Sequence, residues 1–334
     1  MRRGLVLLAI LAALSVAPVG QAASWAQPQI RTVVDASLMG PSVANFRPGQ
    51  PVTRGDLGYA IAVLTGEQQV VVDPERPLTM AQLDRRLVGY LGLRRAANTF
   101  RRTAKEAGLD PPYRFGNEVV ARLLQLRVNH PADRDDLELR PNDVATRAEA
   151  AYSLARILHL DQWDKDWVKS LAGSFTLPAY TSWQTRVLKR SVHFTGFPYV
   201  WGGIWEHEQT LFGVTDRGGF DCSGFVWRIY KLVPYDGGGT LSSVIQGRTT
   251  YQMSGEVPKS ERIAKRYLKP GDVMFFGSQG PKSSPSQVDH TGIYLGRGWM
   301  IHSSGQGVTV IPFSGWYVDR FAWARRPLRE AGLT

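Results

Sequence analysis

Three stretches in the first half of the chain carry apolar residues at helical spacing, and each follows a proline-containing turn and a threonine. The threonines are Thr53, Thr79 and Thr146, and an acidic or amide side chain stands three residues after each one. Such a pair satisfies free backbone N–H groups at a helix start. The pattern is an internal repeat, and it predicts a small all-α domain over residues 25–160. The three partner side chains are Asp56, Gln82 and Glu149.

The second half of the chain combines helical with strand-like patterns. A helix is predicted from Ser182 to Gly196, and a second begins after Asp221, a good N-cap residue followed by apolar residues at helical spacing. Residues 288–295 and 299–302 read as two strands joined at a glycine-rich turn. These patterns predict an α+β domain over residues 182–330.

Residues 161–181 lie between the two predicted domains and are rich in tryptophan and charge. We expect a linker here that packs against one of the domains. The reason is that Trp163 and Trp167 need apolar surroundings.

The first residues have the pattern of a secretion signal. Arg2 and Arg3 precede a run from Leu5 to Val16 that is apolar except for Ser15, and small residues follow near position 22. The pattern predicts a signal peptide over residues 1–23 and an exported protein, with an uncleaved anchor as the alternative. No cysteine stands near the end of this run, so a lipoprotein anchor is not expected. No later stretch is apolar enough to cross a membrane, so no transmembrane segment is expected in the mature chain.

Charge adds a preference among partners. The 334 residues carry a formal net charge of +11, and 43% of them are hydrophobic, which suits folded domains. For an exported protein, anionic wall polymers are a commoner partner of this sign than nucleic acid, and no nucleic acid is predicted. A solvated surface explains the short basic clusters equally well. These clusters are Arg85–Arg86, Arg94–Arg95 and Arg101–Arg102.

Cys222 is the only cysteine of the chain. Exported proteins usually pair their cysteines, so a solitary one is either a buried small hydrophobe or a reactive thiol. Its position in the first turn of the helix after Asp221 favours the thiol, because free N–H groups and the helix dipole lower the pKa of a thiol there. Gly224 is expected to leave room for a substrate.

Two histidines in the predicted hairpin are candidates for the base that such a thiol needs. If the chain turns at residues 296–298, His290 and His302 lie nearly opposite each other on adjacent strands. His290 is then the predicted base, and His302 is predicted to orient its ring. A zinc site is the other use of one cysteine and two histidines, but the ligand spacing is absent. No metal and no cofactor are predicted.

The order of motifs in this region resembles that of the NlpC-type, papain-like cysteine peptidases of bacterial cell walls. The resemblance covers about residues 185–326, and its motifs follow one another in the family's order. They are Pro198-Tyr199-Val-Trp-Gly-Gly203, Asp221-Cys222-Ser223-Gly224, Lys269-Pro-Gly-Asp272, Asp289-His290-Thr-Gly-Ile-Tyr-Leu-Gly296 and Met300-Ile-His302.

The resemblance implies hydrolysis of amide bonds in peptidoglycan stem peptides, commonly the bond between D-glutamate and a diamino acid. By this resemblance, Cys222 forms an acyl-enzyme, His290 is the base and His302 holds its ring. The backbone N–H of Cys222 and the hydroxyl of Tyr199 are candidates for stabilising the oxyanion. Asp221 and Ser223 are candidates for binding the amino group of the substrate, although Asp221 is equally explained as a helix cap.

Two other functional classes stay open at this point. The same fold can transfer the acyl group to an amine, as an acyltransferase or transpeptidase, or it can serve as a non-catalytic envelope-binding protein. Three segments are expected to flank the cleft and to narrow the choice of substrate. They are the long segment 204–216 and the segments 235–239 and 277–287, which are rich in glycine, serine and proline.

The helical repeats resemble the S-layer homology modules of envelope proteins, whose second helix typically opens with Thr-Arg-Ala-Glu. Residues Thr146–Glu149 match this tetrapeptide in full, the first copy has Thr-Arg-Gly-Asp, and the middle copy lacks the arginine. By this resemblance, Arg54 and Arg147 contact anionic wall polysaccharide. The alternative is that each arginine pairs with a nearby carboxylate inside a small helical bundle.

Overall fold

The computed structural model of the protein describes residues 24–333, and the predicted signal peptide at 1–23 lies outside them. The helical region, residues 24–174, precedes the sheet region, residues 182–333. No helix in this described part of the chain is long and apolar enough to cross a membrane. The helices of the helical region are α1 (Gln27–Asp35), α2 (Arg54–Thr65), α3 (Met80–Tyr90), α4 (Arg94–Glu106), α5 (Phe115–Leu123), α6 (Arg147–Leu158) and α7 (Gln162–Ser174), with a 3₁₀-helix at Ala132–Leu137.

The three repeated turns meet in a closed ring of backbone hydrogen bonds. Val52 donates its N–H to the carbonyl of Ala145, Ala145 donates to Leu78, and Leu78 donates to Val52, at 2.9, 2.9 and 3.0 Å. The residues two positions after these donors make a second set of bonds between the same turns. The N–H of Arg54 bonds to the carbonyl of Arg76, that of Met80 to Asp143 and that of Arg147 to Gln50. Each of the predicted N-cap threonines accepts a bond from the N–H three residues later. The middle copy is therefore an equal structural member, although methionine replaces its arginine.

The segment predicted as a linker contains helix α7. Asp161 caps this helix in a capping box, and Val168 and Ala172 are buried on its inner face, where α7 packs against α4. The expectation that both tryptophans need apolar surroundings was wrong for Trp163, which is 69% exposed. Trp163 stacks on Trp167 instead, with ring centroids 6.3 Å apart, so the two side chains cover each other.

The sheet region confirms the predicted α+β fold. The helices are α8 (Ser182–His193), α9 (Cys222–Trp227), α10 (Leu241–Val244), α11 (Thr250–Gly255), α12 (Trp316–Arg320) and α13 (Pro327–Glu330). The strands are β1 (Ile204–Trp205), β2 (Gln209–Leu211), β3 (Val214–Asp216), β4 (Gly219–Phe220), β5 (Val273–Gly277), β6 (Val288–Gly296), β7 (Trp299–Ser304), β8 (Gly307–Pro312) and β9 (Phe321–Arg325). The main sheet has five antiparallel strands in the order β8-β7-β6-β5-β9, and helix α9 packs against β6 and β7.

The two faces of the five-stranded sheet bury different clusters. Phe275, Ile293 and Ile301 belong to the large core that includes α9 and continues into the helical region. Met274 and Phe276 point to the opposite face, where a smaller cluster forms with the segment around α12. Because side chains alternate along a strand, neighbouring residues of β6 and β7 contribute to both faces.

Polar contacts join the two regions directly. Arg122 of α5 donates through Nη2 to the carbonyl of Gly196 at 2.6 Å, and Arg114 donates to two carbonyls at and just after the end of α8. Asp135, in the 3₁₀-helix, accepts the backbone N–H of Trp201 at 2.9 Å. Asp135 is 5% exposed, and burial raises the pKa of its carboxyl to about 6.

The raised pKa of Asp135 predicts a pH-dependent contribution to stability. The folded protein retains a proton on this group where the unfolded chain, with a pKa near 3.8, has lost it, so this contribution falls as the pH rises through that window. Asp135→Asn is neutral throughout, and we expect it to gain about 2 kcal/mol relative to the wild type between pH 4.5 and pH 7.5. Urea denaturation of both proteins at the two pH values measures the difference, and a pH-independent difference contradicts the prediction.

Candidate active site

Cys222 is the first residue of α9, as the sequence predicts. The side chain of Asp221 accepts the N–H of Gly224 and caps the helix, and the residue Cys222 is 8% exposed. The backbone N–H of Thr291 hydrogen-bonds to the sulfur. Because Thr291 follows His290 in β6, the thiol lies beside the strand that carries the predicted base.

Gly224 has a different role from the one expected. A Cβ atom at this position would lie 1.9 Å from the carbonyl oxygen of Gly203, so backbone already fills the space that the sequence assigned to a substrate. The close approach lets Gly203 accept the N–H of Asp221 at 3.1 Å. Gly224 therefore fixes the nucleophile helix against the Trp-Gly-Gly segment.

The environment of the thiol favours its neutral form. Burial raises the pKa of Cys222 to about 12, and the carboxylate of Asp221 acts in the same direction. The N–H groups of Ser223 and Thr291 oppose this shift. The pKa of Cys222 is therefore shifted in the direction opposite to the one expected from its helix position, because removal from water outweighs the effect of the helix start.

His290 and His302 are brought together as predicted. Nε2 of His290 lies 2.8 Å from Nδ1 of His302, and the two rings are almost perpendicular, at 86°. In the register of β6 against β7, Gly292 and not His290 lies directly opposite His302, so the two histidines are diagonal neighbours. A Cβ on Gly292 would lie 3.1 Å from the Cβ of His302, so the glycine makes room for the contact between the rings.

Both imidazoles are neutral at neutral pH. Burial lowers the pKa of His290 to about 4, which the carboxylate of Asp289 partly opposes and Arg320 reinforces. Burial also lowers the pKa of His302 well below its ordinary value, and His290 adds to that shift. Among residues 24–333, no hydrogen bond joins either ring to the thiol. The free site thus combines a neutral thiol with two neutral imidazoles.

Arg248 is a site residue that sequence reasoning missed. Its guanidinium donates to both carboxylate oxygens of Asp221, at 3.1 and 3.0 Å, and to the hydroxyl of Ser223 at 2.7 Å. It also donates to the carbonyl of Gly202 at 2.7 Å. Asp221 is therefore occupied as a cap and as an ion-pair partner. The only sequence signal would have been a charged residue within the long segment between the cysteine and His290.

Tyr199 lies at the edge of the site and carries a neutral phenol. Burial raises the pKa of its hydroxyl, and Cys222, Asp221 and Asp135 act in the same direction. Sequence reasoning also missed Asp135, which belongs to the helical region. It accepts the N–H of Trp201, in the motif that contains Tyr199, although the two residues lie far apart in the chain.

The two arginines proposed for polymer binding are paired inside the helical region. Arg54 donates to the carbonyl of Val72 at 3.2 Å and lies 3.4 Å from the carboxylate of Asp73. Arg147 pairs with Asp56 at 2.5 Å and stacks over the ring of Phe46. This geometry favours the alternative in which both arginines stabilise the repeats.

Comparisons with known proteins agree with the motifs of the sheet region. The gamma-D-glutamyl-L-lysine dipeptidyl-peptidase of Bacillus cereus is 35% identical over 141 residues, which cover 40% of this chain and 34% of the relative. The murein DD-endopeptidase MepH of Escherichia coli is 34% identical over 141 residues, which cover 41% of this chain and 44% of the relative. A crystal structure of an NlpC/P60 family protein from Bacillus cereus is 28% identical, with 46% of this chain and 43% of that chain covered and a TM-score of 0.33.

The chain therefore spans about a third of the length of the Bacillus cereus peptidase. Family models match two separate parts of it. Residues 196–326 match the NlpC/P60 family, and residues 19–57 match the S-layer homology domain. Both matches agree with the resemblances found in the sequence: the chain carries an NlpC/P60 domain that follows an S-layer homology domain.

Proposed function

We propose that the protein is an exported peptidoglycan endopeptidase that cleaves an amide bond of the stem peptide, at the link between D-glutamate and a diamino acid. The observation that carries this proposal is the hydrogen bond between Nε2 of His290 and Nδ1 of His302. It leaves Nδ1 of His290 for proton transfer with Cys222, the only thiol of the chain. The names of relatives support the substrate class, since they include a gamma-D-glutamyl-L-lysine dipeptidyl-peptidase and a murein endopeptidase.

The proposed reaction has two steps. The sulfur of Cys222 attacks the carbonyl carbon while its proton passes to Nδ1 of His290, and the same proton then goes to the leaving amine. Water attacks the resulting thioester with His290 as base, which releases a carboxylate and restores the thiol. Because the thiol of Cys222 and the imidazole of His290 are neutral in the free site, charge separates only during attack. The proposed donors to the oxyanion are the backbone N–H of Cys222 and the hydroxyl of Tyr199.

We also propose that the helical region keeps the enzyme at the cell surface. The S-layer homology match and the net charge of +11 support an anionic wall polymer as its partner. The paired state of Arg54 and Arg147 means that a polymer must either compete with Asp73 and Asp56 or bind elsewhere on the repeats.

Replacement of the nucleophile tests the proposed chemistry. We expect Cys222→Ser to lose more than about 10³-fold in hydrolysis of defined muropeptides while it keeps its fold, since the hydroxyl is a much weaker nucleophile here. Mass spectrometry of the products and circular dichroism measure the two properties. New amine–acyl conjugates from the wild type would indicate a transferase, and binding without any covalent change would leave the envelope-binding function. A serine variant with most of the wild-type rate contradicts the role of Cys222.

The two histidines are expected to differ in their effect on the rate. His290→Ala removes the proposed base and should cost about 10³-fold in kcat. His302→Ala leaves that base in place and removes only its hydrogen-bond partner, so the loss should be smaller. Steady-state kinetics of both variants on one muropeptide give the ratio, and equal losses contradict the separate roles.

The neutral resting site predicts how the free enzyme reacts with a small alkylating agent. Since the pKa of Cys222 is near 12, the thiolate fraction should grow about tenfold for each pH unit between 6 and 9. The rate of carbamidomethylation by iodoacetamide, followed by intact mass, should rise in the same way. Cys222→Ser is the matched blank because the chain has no other thiol. A plateau reached below pH 8 would mean that the thiolate already exists near neutrality.

A further inference from the structure

A groove of about 590 Å³ lies in the sheet region, at the end of the sheet where β5 begins. One side of this basic groove is formed by the segment 260–269, and the other by Arg326 and Arg329, just before α13 and within it. A second cavity, of about 160 Å³, is lined by Lys269, Arg326 and Arg329 as well. The two cavities therefore adjoin, and these three cations lie where they meet.

The side chains along the basic groove carry an excess of positive charge. Within residues 24–333, four arginines and one lysine line the groove, and Glu261 is the only carboxylate among its lining residues. Of the five cations, only Arg326 is in an ion pair within that range, with Asp272. The other four have no carboxylate partner there, so the groove attracts anions. They are Arg262, Arg266, Lys269 and Arg329.

Two of the guanidinium groups are held in fixed positions. The guanidinium carbon of Arg262 lies 3.6 Å from the ring centroid of Trp323, a buried residue of β9. Arg326 donates to the two carboxylate oxygens of Asp272, at 2.7 and 2.8 Å, and to the carbonyl of Tyr267 at 2.7 Å. Asp272 is fully buried, so movement of Arg326 would leave a buried carboxylate unpaired. Because both groups are already ordered, an anion binds them with little further loss of side-chain entropy.

These two arginines keep hydrogen-bond donors available. Arg262 uses Nε for the carbonyl of Val257, and neither its Nη1 nor its Nη2 has a partner within residues 24–333. Nη1 of Arg326 likewise has no partner in that range. None of these three nitrogens is sealed from solvent. The groove thus offers accessible N–H groups from both of its sides.

The arrangement of the cations favours a chain of phosphodiesters. A phosphodiester has two free oxygens that point to opposite sides of the polymer backbone, which suits a groove with cations on both sides, and guanidinium groups bind phosphate through paired N–H groups. Nucleic acid also needs aromatic faces for its bases, but the ring of Tyr267, the aromatic residue of the groove, already contacts Arg266 at 4.8 Å. We propose that the basic groove binds a cell-wall polymer whose repeating units are joined by phosphodiesters.

The basic groove is separate from the proposed catalytic centre. Asp272, which holds Arg326, directly precedes β5, and Phe276, near the other end of this strand, lies opposite His290. At about 3.4 Å per residue, the distance along the strand between Asp272 and Phe276 is about 14 Å. A polymer in the groove therefore leaves the thiol accessible. It attaches the sheet region itself to the wall, in addition to any attachment through the helical region.

Binding to defined polymers tests this proposal on the full chain. The probes are poly(glycerol phosphate), polygalacturonate as the carboxylate polymer, and single-stranded DNA, all of similar length, and isothermal titration calorimetry measures their affinities. We expect poly(glycerol phosphate) to bind most tightly and its affinity to fall as salt is added, because the contacts are ionic. Equal or tighter binding of polygalacturonate overturns the preference for phosphodiesters, and tighter binding of DNA replaces the wall polymer with nucleic acid. Absence of binding to poly(glycerol phosphate) overturns the proposal.

A charge reversal on each side of the groove tests the site itself. We expect the double variant Arg266→Glu/Arg329→Glu to lose at least about tenfold in affinity for poly(glycerol phosphate), since its new carboxylates repel the phosphates. The matched control, Lys105→Glu/Lys282→Glu, changes the net charge by the same amount at exposed positions outside the groove and should keep the wild-type affinity. Unchanged affinity in the groove variant, or an equal loss in the control, contradicts the proposal.

Arg262→Gln keeps the test decisive if the double variant does not fold. It removes one fixed guanidinium without introducing a carboxylate, and we expect a severalfold loss in affinity for poly(glycerol phosphate). Full affinity in this variant contradicts the proposal. Hydrolysis of a small soluble muropeptide is measured in parallel and should stay at the wild-type rate in each groove variant, because the groove is remote from the histidines. A wild type that binds the polymer but hydrolyses no muropeptide would overturn the proposed function alone.

Discussion

The hydrogen bond between the buried imidazoles of His290 and His302 is the constraint on which the site depends. It fixes which nitrogen of each ring carries a hydrogen, and so it decides which nitrogen of His290 faces proton transfer and which nitrogen of His302 is left as a donor. The sheet provides this contact through Gly292, where a side chain would press against the Cβ of His302. The capped start of α9 then brings the thiol to Thr291, one residue from the base. Each of these features is local, and together they define the geometry of the proposed reaction.

The helical region contributes to the same geometry from outside the NlpC/P60 domain. Its three repeats are joined by a cyclic set of backbone hydrogen bonds, which ties together the turns before α2, α3 and α6. From the helical region, Arg122 reaches the carbonyl of Gly196, and Asp135 reaches the N–H of Trp201, on either side of Tyr199. These contacts attach the repeats next to the proposed cleft.

The parts of this structure that sequence predicted are those that short-range patterns encode. The capping boxes, the helix start at Cys222 and the pairing of His290 with His302 follow from spacing within a few residues or across one hairpin. Arg248 and Asp135 were missed because their partners are 27 and 66 positions away in the chain, where no periodicity applies. The role of Gly224 was misjudged for the same reason, since the atom it must avoid belongs to Gly203. The neutral thiol was misjudged because a helix start is visible in a sequence, whereas burial depends on the whole fold.

Burial of the thiol and of both imidazoles constrains the proposed chemistry. In a site that disfavours charge, transfer of a proton from sulfur to His290 creates two ions where none existed. The hydrogen bond from Nε2 of His290 to Nδ1 of His302 stabilises the positive charge on the His290 ring. The proposed oxyanion donors stabilise the negative charge only after the sulfur has attacked a carbonyl. The site is therefore neutral when it is free, and both charges are stabilised only when a bound substrate reacts.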